Sequence, residues 1–255
     1  LLGSRGLGDV YKRQTLSHSE HKKIIEIAVK ECSGKIPVIA GTGSNSTDEA
    51  VELSQYAEKA GSDALLVVTP YYNKPTQEGL YQHYKKINDS VGIPIIIYNI
   101  PSRSVIDMSV ETMSKLYELK NITGVKDATG DLNRVDQQLK AMGKDFIQLT
   151  GNDDNALEFN KRGGVGAIGV TANIAAKISS DFQKACEQKN EAAESLDKVL
   201  QPLHSALFIE SNPSPVKYAA SLLGMCNPSV RLPLVEIREE TKKKVSEALK
   251  VAKLL

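Results

Sequence analysis

The chain has little of what marks several large classes of protein. Its 32 basic and 31 acidic residues nearly cancel over 255 positions, which leaves no field of one sign to hold nucleic acid or an anionic membrane surface. The expected partner is therefore a small molecule. Apolar runs stay below the ~18 residues that a membrane-crossing helix needs, and the first residues lack the apolar stretch of a secretory leader. Cysteine is scarce: Cys32, Cys186 and Cys226 are odd in number and far apart, as expected of reduced packing thiols in a cytoplasmic protein rather than a disulfide framework. The four histidines, His18, His21, His83 and His204, join no strand-end carboxylate cluster. His18 and His21 share a helical face, but two ligands without a third make a poor zinc site, so neither metal nor cofactor is expected. No Gly-rich phosphate loop or Ser/His/Asp order stands out. No linker or composition break divides the chain, and 41% hydrophobic residues suffice for one domain of α/β-barrel size or two smaller ones.

What is present is a repeating alternation of short apolar runs and amphipathic stretches. Strands are expected at Ile36–Ala40, Ala64–Val68, Ile95–Tyr98, Ile122–Lys126, Phe146–Leu149 and Val165–Val170. Helices are expected between them: up to Gly34, then from a capping box Ser46-x-x-Glu49 to Gly61, and at Gln77–Ser90, Val110–Leu119, Leu132–Met142 and Ala156–Lys161. A helical tail follows at Ile174–Lys189, Glu191–Phe208, Val216–Leu223 and Glu236–Leu254. Strands that are apolar throughout belong to a parallel sheet buried on both faces. A repeat of roughly 20 to 30 residues matches a TIM (β/α)8 barrel. A doubly wound open sheet is the alternative, but no Gly-x-Gly-x-x-Gly opens a helix.

Six strands are two short of a closed barrel, and the missing two can only precede Thr15. The division expected is a segment 1–14 that is not native, a partial barrel at 15–172 holding strands three to eight, and the last barrel helix with a C-terminal helical extension at 173–255. Residues 1–14 (LLGSRGLGDVYKRQ) fit neither strand nor amphipathic helix, and Asp9–Gln14 is what one reading frame of a transposon-end adapter would encode. The chain as written is then expected to be truncated and impaired.

In a barrel of this kind, catalytic groups stand at the C-terminal ends of strands. Those positions hold Thr42 and Gly43, Tyr71 and Tyr72, Tyr98 and Arg103, Lys126, Gly151 and Asn152, and Ile168 and Gly169. Lys126 follows an apolar run and precedes a small-residue turn. A lysine held among apolar walls has its ammonium form disfavoured by lost hydration, and the free amine forms a Schiff base with a ketone. A neighbouring Tyr98 hydroxyl suits proton transfer during dehydration and carbon–carbon bond formation. Arg103 offers a planar fork to a substrate carboxylate, and Gly151 lets backbone groups approach a ketoacid. Taken singly, Tyr98 reads equally as a core tyrosine and Arg103 as half of a surface ion pair.

Three stretches carry a resemblance: Val67-Val68-Thr69-Pro70-Tyr71-Tyr72-Asn73-Lys74-Pro75, Tyr98-Asn99-Ile100-Pro101-Ser102-Arg103 and Gly124-Val125-Lys126-Asp127-Ala128-Thr129-Gly130. With Asn212–Lys217 and Arg231-Leu232-Pro233, they are similar to the signatures of the dihydrodipicolinate synthase family of pyruvate-dependent class I aldolases. The resemblance implies condensation of pyruvate with aspartate 4-semialdehyde in lysine biosynthesis, by an enzyme whose members are dimers or tetramers. It implies that Lys126 carries the Schiff base, that Tyr98 belongs to a proton relay with Tyr72 from a neighbouring subunit, and that Arg103 meets the semialdehyde carboxylate. Gly151 and Ile168 match pocket-lining positions. His18, His21, Gly43, Asn45, Glu49 and Tyr71 match the site where lysine-sensitive members bind lysine as a feedback inhibitor; otherwise Glu49 only completes its capping box and His21 is a solvated helix residue. The family's Gly-Thr-Thr-Gly-Glu stretch falls near Gly8-Asp9-Val10-Tyr11, and its threonines are absent there. Another pyruvate aldolase, such as an N-acetylneuraminate lyase, and a non-catalytic metabolite-binding barrel are the competing readings. Arg103 favours the dihydrodipicolinate synthase family over the lyases, which carry a small or apolar residue there.

Overall fold

The structure, a computed structural model, describes residues 15–32 and 34–255. The expectations for residues 1–14, and for strands before Thr15, lie outside the described residues. Two compact units emerge, Leu16–Gly151 with Arg162–Gly164, and Asn152–Lys161 with Val165–Leu255 and Thr15.

The first unit alternates strand and helix. Its strands β1 (Ile39–Gly41), β2 (Ala64–Val68), β3 (Ile95–Asn99), β4 (Ile122–Asp127) and β5 (Ile147–Thr150) form one parallel sheet in chain order. Helices α1 (His18–Cys32), α2 (Thr47–Lys59), α3 (Gln77–Asn88), α5 (Val110–Tyr117) and α6 (Asn133–Met142) accompany it, with a four-residue helix α4 (Pro101–Ser104) after β3. A strand order that never reverses has no switch point, which argues against the doubly wound alternative. The Ile95-Ile96-Ile97 run is β-branched and wholly buried, which suits a central strand whose two faces are both covered. Leu65, Val67, Ile95, Ile97 and Val125 form the sheet's part of a core closed by Ala57, Leu80, Ile87, Met113 and Leu116 from the helices. Tyr84 joins that core and donates its hydroxyl to the Val67 carbonyl at 2.7 Å. Burial there pushes the phenol's pKa up.

Several expectations are corrected. The first strand begins at Ile39 rather than Ile36, because Pro37 has no N–H for a ladder and the Val38 N–H is taken by Asp63 Oδ2 at 2.7 Å. Ser46 caps α2 by accepting from the Glu49 N–H at 3.5 Å, but the capping box is not reciprocal. The Ser46 N–H goes to Ser44 Oγ at 3.1 Å, and the Glu49 carboxylate turns to Ser44 and His18 instead. Val165–Val170 is not a strand. Only Ala167 has bridge character, and Gly163, Gly164, Gly166 and Gly169 leave the segment too few side chains to hold a ladder.

The second unit is helical: α7 (Ala156–Lys161), α8 (Ala176–Glu187), α9 (Ala192–Leu207), α10 (Ser214–Leu222) and α11 (Glu239–Val251). Phe182, Leu200, Leu203, Leu207, Val216, Val245 and Leu249 fill its core. Asp153, buried, accepts from the Val170 and Thr171 N–H groups at 2.7 and 3.0 Å. Gly169 is required there, because a Cβ would fall 1.5 Å from Asp153 Oδ1. Thr171 Oγ1 in turn meets His204 Nδ1 at 2.7 Å. Cys32 and Cys186 are half-buried, whereas Cys226 is exposed and is not the packing residue expected of it. It lies in the irregular stretch between α10 and α11.

Among the described residues no helix is long and apolar enough to cross a membrane.

Candidate active site

β3 and β4 lie side by side in a register that pairs Tyr98 with Lys126. Parallel strands in register project paired side chains to the same face, and the two meet: Lys126 Nζ lies 3.9 Å from the centre of the Tyr98 ring. Both are 1% exposed. A lysine is almost never so deeply buried unless something holds it, and this one reaches a neighbour on each side, with Leu149 of β5 as its register partner.

Gly151, directly after β5, lets the backbone pass close to the lysine stem. A Cβ built there would lie 2.6 Å from Ala128 Cβ and 3.1 Å from Lys126 Cε. Its N–H donates to the Asp127 carbonyl at 2.7 Å, so the bare backbone is pinned next to the lysine stem. Gly43 is equally constrained, since a Cβ would meet the Val68 backbone nitrogen at 2.3 Å.

Arg103 stands exposed on α4, which starts at Pro101 and ends in Val105 with φ of 59°. Proline at the first helical position presets the helix. A β-branched residue in the left-handed region is an outlier that persists only where the surroundings enforce it. Tyr72 lies on the loop after β2, 87% exposed and also left-handed at φ 73°.

Ile168 is buried in the second compact unit, on the extended stretch that was expected to be a strand.

The six residues matched to a regulatory site surround the turn after β1. His18 Nε2 is 2.8 Å from Glu49 Oε1, and Ser44 Oγ donates to Glu49 Oε2. His21 is not the solvated residue of the simpler reading. It is buried and bonded through Nε2 to the Gly41 carbonyl at 2.9 Å, so it faces the strand while His18 faces Glu49. Asn73 ties the rest together: its side chain donates to the Asn45 carbonyl at 2.9 Å and its N–H to the Tyr71 carbonyl at 2.9 Å.

One set of polar residues was not singled out in the sequence. Asp127, 5% exposed, receives four hydrogen bonds on its two oxygens. Their donors are the Thr129 N–H and hydroxyl, Arg134 Nε and Gln138 Nε2. The available signal was a carboxylate directly after Lys126, with Arg134 and Gln138 four apart on one helical face.

The chain resembles known proteins over nearly its whole length. The model of the dihydrodipicolinate synthetase family matches residues 8–252. A 4-hydroxy-tetrahydrodipicolinate synthase of Pelagibacter ubique is 67% identical over 260 residues, spanning 99% of this chain and 89% of that protein. The crystal structure of dihydrodipicolinate synthase from Aquifex aeolicus matches with a TM-score of 0.92 at 45% identity, covering 94% of this chain and 83% of that one. Dihydrodipicolinate synthase from Cyanidioschyzon merolae with lysine bound matches with a TM-score of 0.90 at 35% identity, covering 94% and 83%. The chain belongs to the dihydrodipicolinate synthetase family.

Proposed function

We propose that this chain is a 4-hydroxy-tetrahydrodipicolinate synthase, a lyase that condenses pyruvate with aspartate 4-semialdehyde through a Schiff base on Lys126. The observation that carries the reading is the fully buried Lys126 amine set 3.9 Å from the Tyr98 ring, with Gly151 letting the backbone pass close to its stem. The amine adds to the pyruvate ketone carbon, and the carbinolamine loses water to give an imine. Loss of a methyl proton gives an enamine whose carbon attacks the aldehyde. The semialdehyde amino group then attacks the imine carbon and displaces Lys126.

Tyr98, with Tyr72 from a second copy, would carry protons between these steps, and Arg103 would hold the semialdehyde carboxylate. Gly151 would line the ketoacid's side of the pocket. The exposure of Tyr72 supports a role outside its own subunit, hence a dimer or tetramer. The unreversed parallel sheet supports a closed (β/α)8 barrel built largely from 15–172, with 173–255 as last helix and extension. His18, His21, Gly43, Asn45, Glu49 and Tyr71 would form a lysine-binding site, a reading supported by the His18–Glu49 pair and by the lysine-bound relative. A biosynthetic lyase of this family with free thiols suits the cytoplasm.

Trapping with borohydride in the presence of pyruvate, followed by mass spectrometry of the peptides, tests the central claim. The expected result is a reduced pyruvate adduct on the Lys126 peptide, lost in Lys126→Met together with at least roughly a thousandfold of turnover. An unmodified Lys126 peptide would overturn it.

A further inference from the structure

We propose that Asp127, Arg134 and Asn99 form a single buried clamp that positions both Lys126 and the Arg103 loop, so that imine formation and recognition of the second substrate share one support. The proposal rests on the Schiff-base reading above. Lys126 and Asp127 are consecutive in β4, so their side chains leave the sheet on opposite faces. The amine enters the site, and the carboxylate is gripped from behind.

The grip is complete. Asp127 Oδ2 accepts from Arg134 Nε at 2.8 Å and Gln138 Nε2 at 3.0 Å, both on α6. Oδ1 accepts from the Thr129 N–H at 3.0 Å and hydroxyl at 2.6 Å, which folds the turn after Lys126 back onto the strand end. The Asp127 carbonyl accepts from the Gly151 N–H. One residue therefore fixes the lysine's backbone on one side and the glycine packed close to its stem on the other.

Arg134, only 10% exposed in its side chain, carries the clamp to the neighbouring loop. It donates through Nη2 to the Met108 carbonyl at 2.9 Å and lies 3.7 Å from Asp107 Oδ1. Asn99, at the end of β3, closes the same loop from its other end. Its side chain donates to Asp107 Oδ1 at 2.7 Å and accepts from the Met108 N–H at 3.0 Å, while its carbonyl accepts from the Ala128 N–H at 2.8 Å. The chain from Ile100 to Ile106, with Arg103 on α4, is thus a loop whose two ends are pinned to each other and to the strand that bears Lys126. A pinned base also accounts for Val105 holding a left-handed conformation that a β-branched residue resists.

The consequence is a division of labour between the two arms. Asp127 governs where the amine stands, and Asn99 governs where the arginine stands. Misplacing a reacting group by about an ångström costs up to about a hundredfold in rate, whereas a loosened substrate clamp raises KM.

The test compares the full chain with Asp127→Asn, Arg134→Lys and Asn99→Ala, each assayed well below its own melting midpoint and checked for fold by circular dichroism. Asp127→Asn is expected to slow the borohydride-trapped pyruvate adduct about tenfold or more. Arg134→Lys, which keeps the charge but not the fork, should fall between it and the parent. Asn99→Ala is expected to raise KM for the semialdehyde severalfold more than it slows adduct formation. If Asp127→Asn loses its fold, Arg134→Lys carries the same reading. Folded variants that match the parent in adduct rate and in both KM values would overturn the clamp and leave the Schiff base standing. A parent chain that forms no adduct would overturn both.

Discussion

The two compact units bury polar residues for different ends. In the sheet unit, the buried Asp127 and Arg134 lie beside the groups proposed for the chemistry: Lys126, Tyr98 and Gly151 stand within one residue of the clamp or of its register partners. In the helical unit, the buried Asp153, Thr171 and His204 meet backbone N–H groups and one another, beside a core built mainly of leucine, valine and alanine. Internal polarity in the first unit braces the strand end that bears Lys126, whereas in the second it holds the start of the short turn at Val170 and Thr171. Damage to the clamp should therefore read out as lost turnover, and damage to the helical core as lost stability.

Leu203→Ala tests the helical side. Leu203 is completely buried, and truncating a buried leucine costs about 2–5 kcal/mol through lost burial and the cavity left behind. The expected outcome is a lowered denaturant midpoint with turnover per folded chain unchanged. A loss of turnover that outruns the unfolded fraction would break the comparison.

Acid probes the sheet side without a mutation. Burial lowers the His83 pKa from 6.5 to about 4, and its Nδ1 meets Thr47 Oγ1 at 2.9 Å. A group whose folded pKa is depressed in this way is a cation avoided on folding. Its neutral form is stable in full above pH 6.5, and that stability is lost as pH falls towards 4, reaching about 3 kcal/mol. His83→Gln should flatten the fall in stability over that range; an unaltered slope would assign the acid sensitivity elsewhere. Burial also lowers the His204 pKa in the helical unit, so each unit has its own acid-sensitive core histidine.

The smallest expected effect is Arg103→Ala. Losing a charge-assisted bond of about 1.5–3 kcal/mol should raise KM for the semialdehyde by roughly ten- to a hundredfold, with the pyruvate adduct still forming. Equal losses for both substrates would place Arg103 in the amine's machinery instead.

How much was readable in advance depends on range. The strands β2, β3 and β4 were legible because unbroken runs such as Ile95-Ile96-Ile97 have no reason to exist except in a sheet covered on both sides. Lys126 and Tyr98 were legible because each closes such a run. The helix α4 was not, since four residues carry no periodicity and only Pro101 hints at a start. The stretch 165–170 looked like a strand from its valines and isoleucine, but four glycines within and beside it outweighed them. The clamp was invisible because its bonds join β3, β4, α6 and a loop, and no local pattern records a partner seven to 26 residues away. The burial of His21 was hidden for the same reason, its acceptor being the Gly41 carbonyl 20 positions on.

Gly151 has a further consequence for anyone wishing to alter this scaffold. A methyl there would fall 2.6 Å from Ala128 Cβ and 3.1 Å from Lys126 Cε, so even the smallest side chain would act as a wedge between the ends of two adjoining strands. Its cost would fall on the sheet before it fell on any ligand.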